Sequence, residues 1–185
     1  MNLKELEYYC FIKEYRDLNL TFVDKLKNVK IIYSYNNKSN LTDLLLLEKL
    51  CIKNKIKLYI SNYERDLNFL KIDGVHISSD KKLKPHYLKK NFEIIGTAHN
   101  QLEYSRKKKQ GCSKIFLSPL FRTKKYSNNK TLGINKFNLI SKNWDTKMLA
   151  LGGLNSQNIK LLRSAKVLGF GGISFFNKKT PPSFN

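Results

Sequence analysis

IFLSPLFRTKKYSNNKTLG, residues 115–133, starts apolar and turns at Ser118-Pro119. It then becomes a basic, Asn-rich loop closed by Gly133. A little further on, MLALGGLNSQN (148–158) repeats the plan with an apolar run that ends in a glycine pair. Each stretch reads as a short buried strand that delivers a polar, proline- or glycine-marked loop at its C-terminal end. Two such units in succession, each followed by a helical pattern, point to parallel strands joined by crossovers.

Working outward, the alternation covers the chain. Strands are expected at 8–13, 29–35, 57–61, 73–78, 93–99, 114–119, 147–153 and 169–176, and helices at 40–54, 64–71, 84–91, 100–111, 134–141 and 155–166. Asn40 or Thr42 can cap the first of these helices, Gly111 stands in the stop position of the fourth, and Asn155 or Ser156 can cap the last. The strands are apolar on both faces, so both faces are buried. Eight units imply an α/β fold, a compact (β/α)8 TIM barrel with short helices and spare loops, and an open doubly wound sheet is the rival. The whole chain, 1–185, reads as a single domain with 177–185 as a frayed tail.

Composition narrows the function. The net charge is +21, from 35 basic and 14 acidic residues, but the excess is mostly lysine spread along the chain beside abundant Asn and Ile. Nucleic-acid modules cluster their charge and use arginine at base edges, so the balance reads as compositional drift that also suits phosphorylated ligands. The run Arg106-Lys107-Lys108-Lys109 reads as the solvated face of a helix. Cys10, Cys51 and Cys112 are far apart and form no CxxC pair, so they read as small apolar residues. No apolar run is long enough to span a membrane, and MNLKELEYYC does not resemble a secretory leader. The expectation is a cytoplasmic protein.

In a barrel, chemistry collects where the strands end. Those ends carry Ser34, Asn36 and Lys38; Ser61 and Asn62; Ser78, Ser79 and Asp80; Thr97 and His99; Ser118; Gly152 and Gly153; and Ser174. The set is small and polar. Main-chain N–H groups at a glycine pair before a helical segment can meet a phosphate without side-chain obstruction.

GVHIS (74–78), IIGTAHNQLEYSRKKKQGCSKIFLSPLFRT (94–123), LG (132–133), ALGGLNSQNI (150–159) and ISFF (173–176) together resemble the thiamine phosphate synthase and thiazole tautomerase superfamily, in order and spacing, over roughly residues 57–176. The resemblance implies a transferase that couples hydroxymethylpyrimidine diphosphate to thiazole phosphate and releases pyrophosphate, assisted by Mg2+. It gives Lys38, Thr97 and Thr123 catalytic roles. It gives Ser34, Asn36, Asn62, His99, Ser118, Gly152, Gly153 and Ser174 to substrate binding, and Asn62 and Asp80 to the metal. It also carries small phosphorylated substrates as partners and a homo-oligomer. The sequence departs from the family pattern where Ser34 and Asn36 replace Gln and Arg, where Asn62 replaces a metal carboxylate, and where Lys81 stands at a second one. The thiazole-phosphate half is thus better kept than the diphosphate and metal half. That leaves a tautomerase-like or other thiazole-phosphate-binding protein as the alternative. The tautomerase histidine is replaced by Pro119, and His76 and His99 read as packing or barrel-mouth residues.

Overall fold

The computed structural model describes residues 3–19, 28–36, 40–63, 67–82, 91–123, 131–173 and 175–176. Lys38, Ser174, the tail, and all or part of the helices expected at 64–71 and 84–91 lie outside them. Eight strands form a closed barrel in sequence order: β1 Glu7–Ile12, β2 Val29–Ser34, β3 Lys57–Ser61, β4 Gly74–Ile77, β5 Glu93–Ala98, β6 Lys114–Leu117, β7 Lys147–Leu151 and β8 Gly169–Gly172. Every neighbouring pair is parallel, and β8 closes on β1 with Tyr8 opposite Phe170 and Cys10 opposite Gly172. The fold is a compact (β/α)8 TIM barrel.

Three α-helices are described: α1 Leu41–Asn54 after β2, α2 Gln101–Lys109 after β5 and α3 Gly133–Lys142 after β6. Asn40 caps α1, its side chain accepting from Thr42 N. After β7 the expected helix over 155–166 is replaced by a turn and a short 3-10 segment, Ile159–Ser164. The cause is local. The Asn155 side chain accepts from the main-chain N–H groups of Gln157 and Asn158, and Asn158 Nδ2 donates to Gly153 O, so side-chain bonds displace the helical ladder. β8 likewise stops at Gly172 rather than running to 176. The chain turns there and packs Phe175 and Phe176 on Phe170, with ring centroids 5.1 and 5.9 Å away.

Strand periodicity sorts the interior into tiers. The floor, at the N-terminal ends, holds Glu7, Lys30, Glu93 and Lys114. Lys114 Nζ lies 2.9 Å from both Glu7 Oε2 and Glu93 Oε1, and Lys30 Nζ lies 2.5 Å from Glu7 Oε1. One step up, Tyr9, Ile32, Tyr59, Ile95, Phe116 and Leu149 fill the middle, with Tyr9 and Tyr59 donating their hydroxyls down to Glu7 and Glu93. Burial alone would raise the Glu7 carboxyl, but Lys30, Tyr9 and Lys114 outweigh it and hold the group at about 2. The outward strand faces, with Tyr8, Cys10, Ile31, Tyr33 and Ile60, build the second apolar layer under the helices. Cys10, Cys51 and Cys112 are free and buried. Among the described residues no helix is long and apolar enough to cross a membrane.

Candidate functional site

The top tier opens into a cavity of about 500 Å³ at the C-terminal ends of the strands. The same inward series that carries Glu93 and Ile95 brings Thr97 to its wall, and the series through Lys114 and Phe116 brings Ser118.

The loops after β6 and β7 form one wall because the backbone sews them together. Leu120 N donates to Leu151 O at 2.8 Å and Phe121 N to Gly152 O at 3.0 Å. Leu132 N and Gly133 N donate back to Pro119 O and Leu120 O, which closes the far end of the first loop. Gly153 sits at φ +72°, where a Cβ would come within 2.5 Å of the Phe121 carbonyl carbon and the Arg122 oxygen. Only glycine permits both that backbone angle and that approach. The Ser118-Pro119 bond is cis. Thr123, Gly152 and Gly153 share this side of the cavity with Leu154, Gly171 and Gly172.

His99 is fixed from two sides. The Glu103 carboxylate accepts from His99 N at 2.7 Å while Asn100 caps α2 by accepting from Glu103 N. Its Nδ1 donates to Ser118 O at 2.7 Å, because a carbonyl can only accept. That contact leaves Nε2 as the ring nitrogen on the other edge of the imidazole.

His76, which the sequence suggested as a packing residue, also lines the cavity. It is held between two hydroxyls, Ser61 Oγ at 2.9 Å from Nδ1 and Thr97 Oγ1 at 2.8 Å from Nε2. Burial, with Lys107 as a lesser cause, pulls its pKa down to about 3. A neutral ring that bridges two hydroxyls orients Thr97 and carries no charge at neutral pH.

Of the residues expected from the sequence, Thr97, His99, Ser118, Thr123, Gly152 and Gly153 converge on this one cavity. Ser34, Asn36, Asn62 and Asp80 are not on its wall. Asn62, at φ +57°, accepts from Ser78 Oγ at 3.1 Å, and Asp80 is exposed. Ser78 and Ser79, read from the sequence as a strand end but given no role, also belong to the wall, as do Phe11, Leu151 and Ile173, which were not expected there. The apolar members look like any core residue.

Mg2+ prefers carboxylate oxygens and water. Among the described residues no group of three His, Cys, Asp or Glu side chains could hold a metal, and the described cavity wall carries no carboxylate. This donor set does not fit Mg2+.

In the run expected to be a solvated helix face, Lys108 and Lys109 are exposed, but Lys107 departs from the expectation. Lys107 is 0% exposed. It shares the inner face of α2 with Tyr104, one turn away, so helical geometry turns it inward whatever its charge.

A family model described as thiamine monophosphate synthase matches residues 32–176. A thiamine-phosphate synthase of Prochlorococcus marinus subsp. pastoris is 32% identical over 164 residues, covering 83% of this chain and 46% of that protein. Another, of Pelagibacter ubique, is 27% identical over 154 residues, covering 78% and 74%. The chain spans about half the length of the Prochlorococcus relatives it matches. Among solved structures, a thiamine phosphate pyrophosphorylase from Pyrococcus furiosus superposes with a TM-score of 0.69 at 15% identity, covering 96% of this chain and 90% of that one. That likeness speaks for the fold.

Proposed function

Since the chain belongs to the thiamine monophosphate synthase family, we propose that it is a transferase joining hydroxymethylpyrimidine diphosphate to thiazole phosphate. The carrying observation is the convergence of Thr97, His99, Ser118, Thr123, Gly152 and Gly153 on one cavity at the barrel mouth. The methylene–oxygen bond of the diphosphate breaks, pyrophosphate leaves with the bonding pair, and the thiazole nitrogen forms the new bond to the methylene carbon.

The chemistry needs no protein nucleophile, and none is assigned. Catalysis falls to positioning and to donors aimed at the departing charge. Main-chain N–H groups at Gly152 and Gly153, with the Thr123 hydroxyl beside them, suit the phosphate of the thiazole substrate. Thr97, held by His76 at the end of β5, offers a hydroxyl for the diphosphate. The apolar wall of Phe11, Leu151 and Ile173 suits the flat heterocycles and keeps water from the cation-like carbon.

A second reading has an observation of its own. Thr123, Gly152 and Gly153, expected to hold thiazole phosphate, meet in the cavity, while Asn62 and Asp80, expected at the metal, do not line it. A protein that binds or isomerises a thiazole phosphate without Mg2+ would show that asymmetry. Incubating the chain with both substrates and following thiamine phosphate by fluorescence after oxidation decides between them. Product formation supports coupling, and binding of thiazole phosphate without product supports the second reading.

A further inference from the structure

The cavity wall carries hydroxyls, two imidazoles, glycines and apolar groups, but neither a carboxylate nor a cation among the described residues. A phosphorylated ligand brings negative charge into it. Directly behind one side of the wall stands a buried cation that the sequence placed in solvent. Lys107 leaves the inner face of α2, and its stem lies against β5. A Cβ at Gly96 would come within 3.1 Å of Lys107 Cβ and Cγ, so the strand carries glycine where the lysine passes. The ammonium then reaches the turn after β4 and donates to the main-chain carbonyls of Ser78 and, at 2.7 Å, Lys81. Ser78 O also accepts from Lys81 N, which closes the turn. The turn therefore has the ammonium on one side and presents Ser78 and Ser79 to the cavity on the other.

Two facts make this more than a structural tie. No carboxylate forms an ion pair with Lys107 among the described residues, and burial pulls its pKa below the usual lysine value. Asp80 and Glu103 attract the ammonium without pairing with it, and burial outweighs them, so a further anionic partner would relieve the cost of the buried charge. In a trans peptide the N–H points opposite to the preceding C=O, so with Ser78 O turned to the ammonium, Ser79 N–H is turned away from it.

We infer that Lys107 is a positioning residue for an anionic substrate group. Its ammonium holds the Ser78–Lys81 turn with Ser78 and Ser79 toward the ligand and supplies, through one layer of backbone, the positive field that a wall with neither lysine nor arginine among its described residues lacks. The inference rests on the proposed function for which group arrives there, namely the diphosphate, whose side of the cavity also carries Thr97. In this chain a fixed lysine, at the rim where the described donors do not fit Mg2+, meets part of the leaving group's charge.

The test is calorimetric titration of the full chain with inorganic pyrophosphate and with thiazole phosphate, in EDTA, comparing wild type with Lys107→Met and Lys107→Gln. Removing one charge that acts over several ångströms of protein is expected to weaken pyrophosphate about tenfold and leave thiazole phosphate within about twofold. A loss shared equally by both ligands, or pyrophosphate binding that is unchanged or absent in wild type, overturns the inference. Should the variants not fold, hydrogen exchange on wild type replaces them. Pyrophosphate is expected to slow exchange over residues 78–82, and unchanged exchange there overturns the inference. Lys107-dependent pyrophosphate binding without coupling would sink the proposed function and keep this one. Coupling with Lys107-independent pyrophosphate binding would do the reverse.

Discussion

Gly153→Ala tests whether the two mouth loops are built as one wall. The substitution asks an L residue to hold φ +72° and places a methyl 2.5 Å from the Phe121 carbonyl carbon and the Arg122 oxygen. The backbone angle alone costs about 1 kcal/mol. The clash is with backbone rather than a flexible side chain, so the loop after β6 must move away. That motion breaks the Phe121 N–Gly152 O bond and its neighbour, for a total of about 3 kcal/mol or more. Gly133→Ala is the internal control, because Gly133 has φ +63° but nothing within 4 Å of where the new methyl would stand. It carries the angular cost alone, about 1 kcal/mol. At about 2–4 °C per kcal/mol for a chain of this size, Gly153→Ala should lower Tm by about 6–12 °C and Gly133→Ala by about 3 °C. Calorimetric or dichroism melts read both. If the two variants lose the same stability within about 0.5 kcal/mol, the loops do not touch as described and the shared wall is wrong.

At the barrel floor, the Glu7 carboxyl is held at about 2 against 4.5 unfolded. Its folded pKa is depressed, so it contributes stability above pH 4.5 that is lost as pH falls toward 2, up to about 3 kcal/mol. Denaturant midpoints between pH 6 and 3 should fall steeply in wild type and less in Glu7→Gln, and parallel slopes would reject the assignment. His76 has a folded pKa of about 3, so its ring proton resonances should stay flat from pH 8 to 4.5, and a titration near 6.5 would place it in solvent. Thr123→Val keeps shape and removes a hydroxyl, so it should weaken thiazole phosphate about tenfold with Tm within about 1 °C. Unchanged affinity by titration would remove Thr123 from the phosphate site.

The barrel was legible because its signal is periodic. Runs such as KLYIS and KMLAL are apolar on both faces, and parallel strands buried on both sides require that. The mouth residues followed from topology, since a strand end in a barrel is a site position whatever its identity. Three features escaped for physical reasons. Lys107 reads as solvent-facing because charge is a strong local cue, yet the face it occupies is set by Tyr104 one turn away. His76 reads as packing because nothing local reveals that its two hydrogen-bond partners, Ser61 and Thr97, come from neighbouring strands. The missing helix after β7 escaped because NSQN is both a capping sequence and a side-chain-bonded turn, and the bonds of Asn155 and Asn158 decide for the turn.

The most direct test of the account is titration of the wild-type chain with thiazole phosphate and with hydroxymethylpyrimidine diphosphate, separately and together, with product analysis. The account predicts that both bind in the one cavity and that mixing them yields thiamine phosphate and pyrophosphate. Failure of thiazole phosphate to bind would contradict it outright, because Thr123, Gly152 and Gly153 converge there and would then form no phosphate cup.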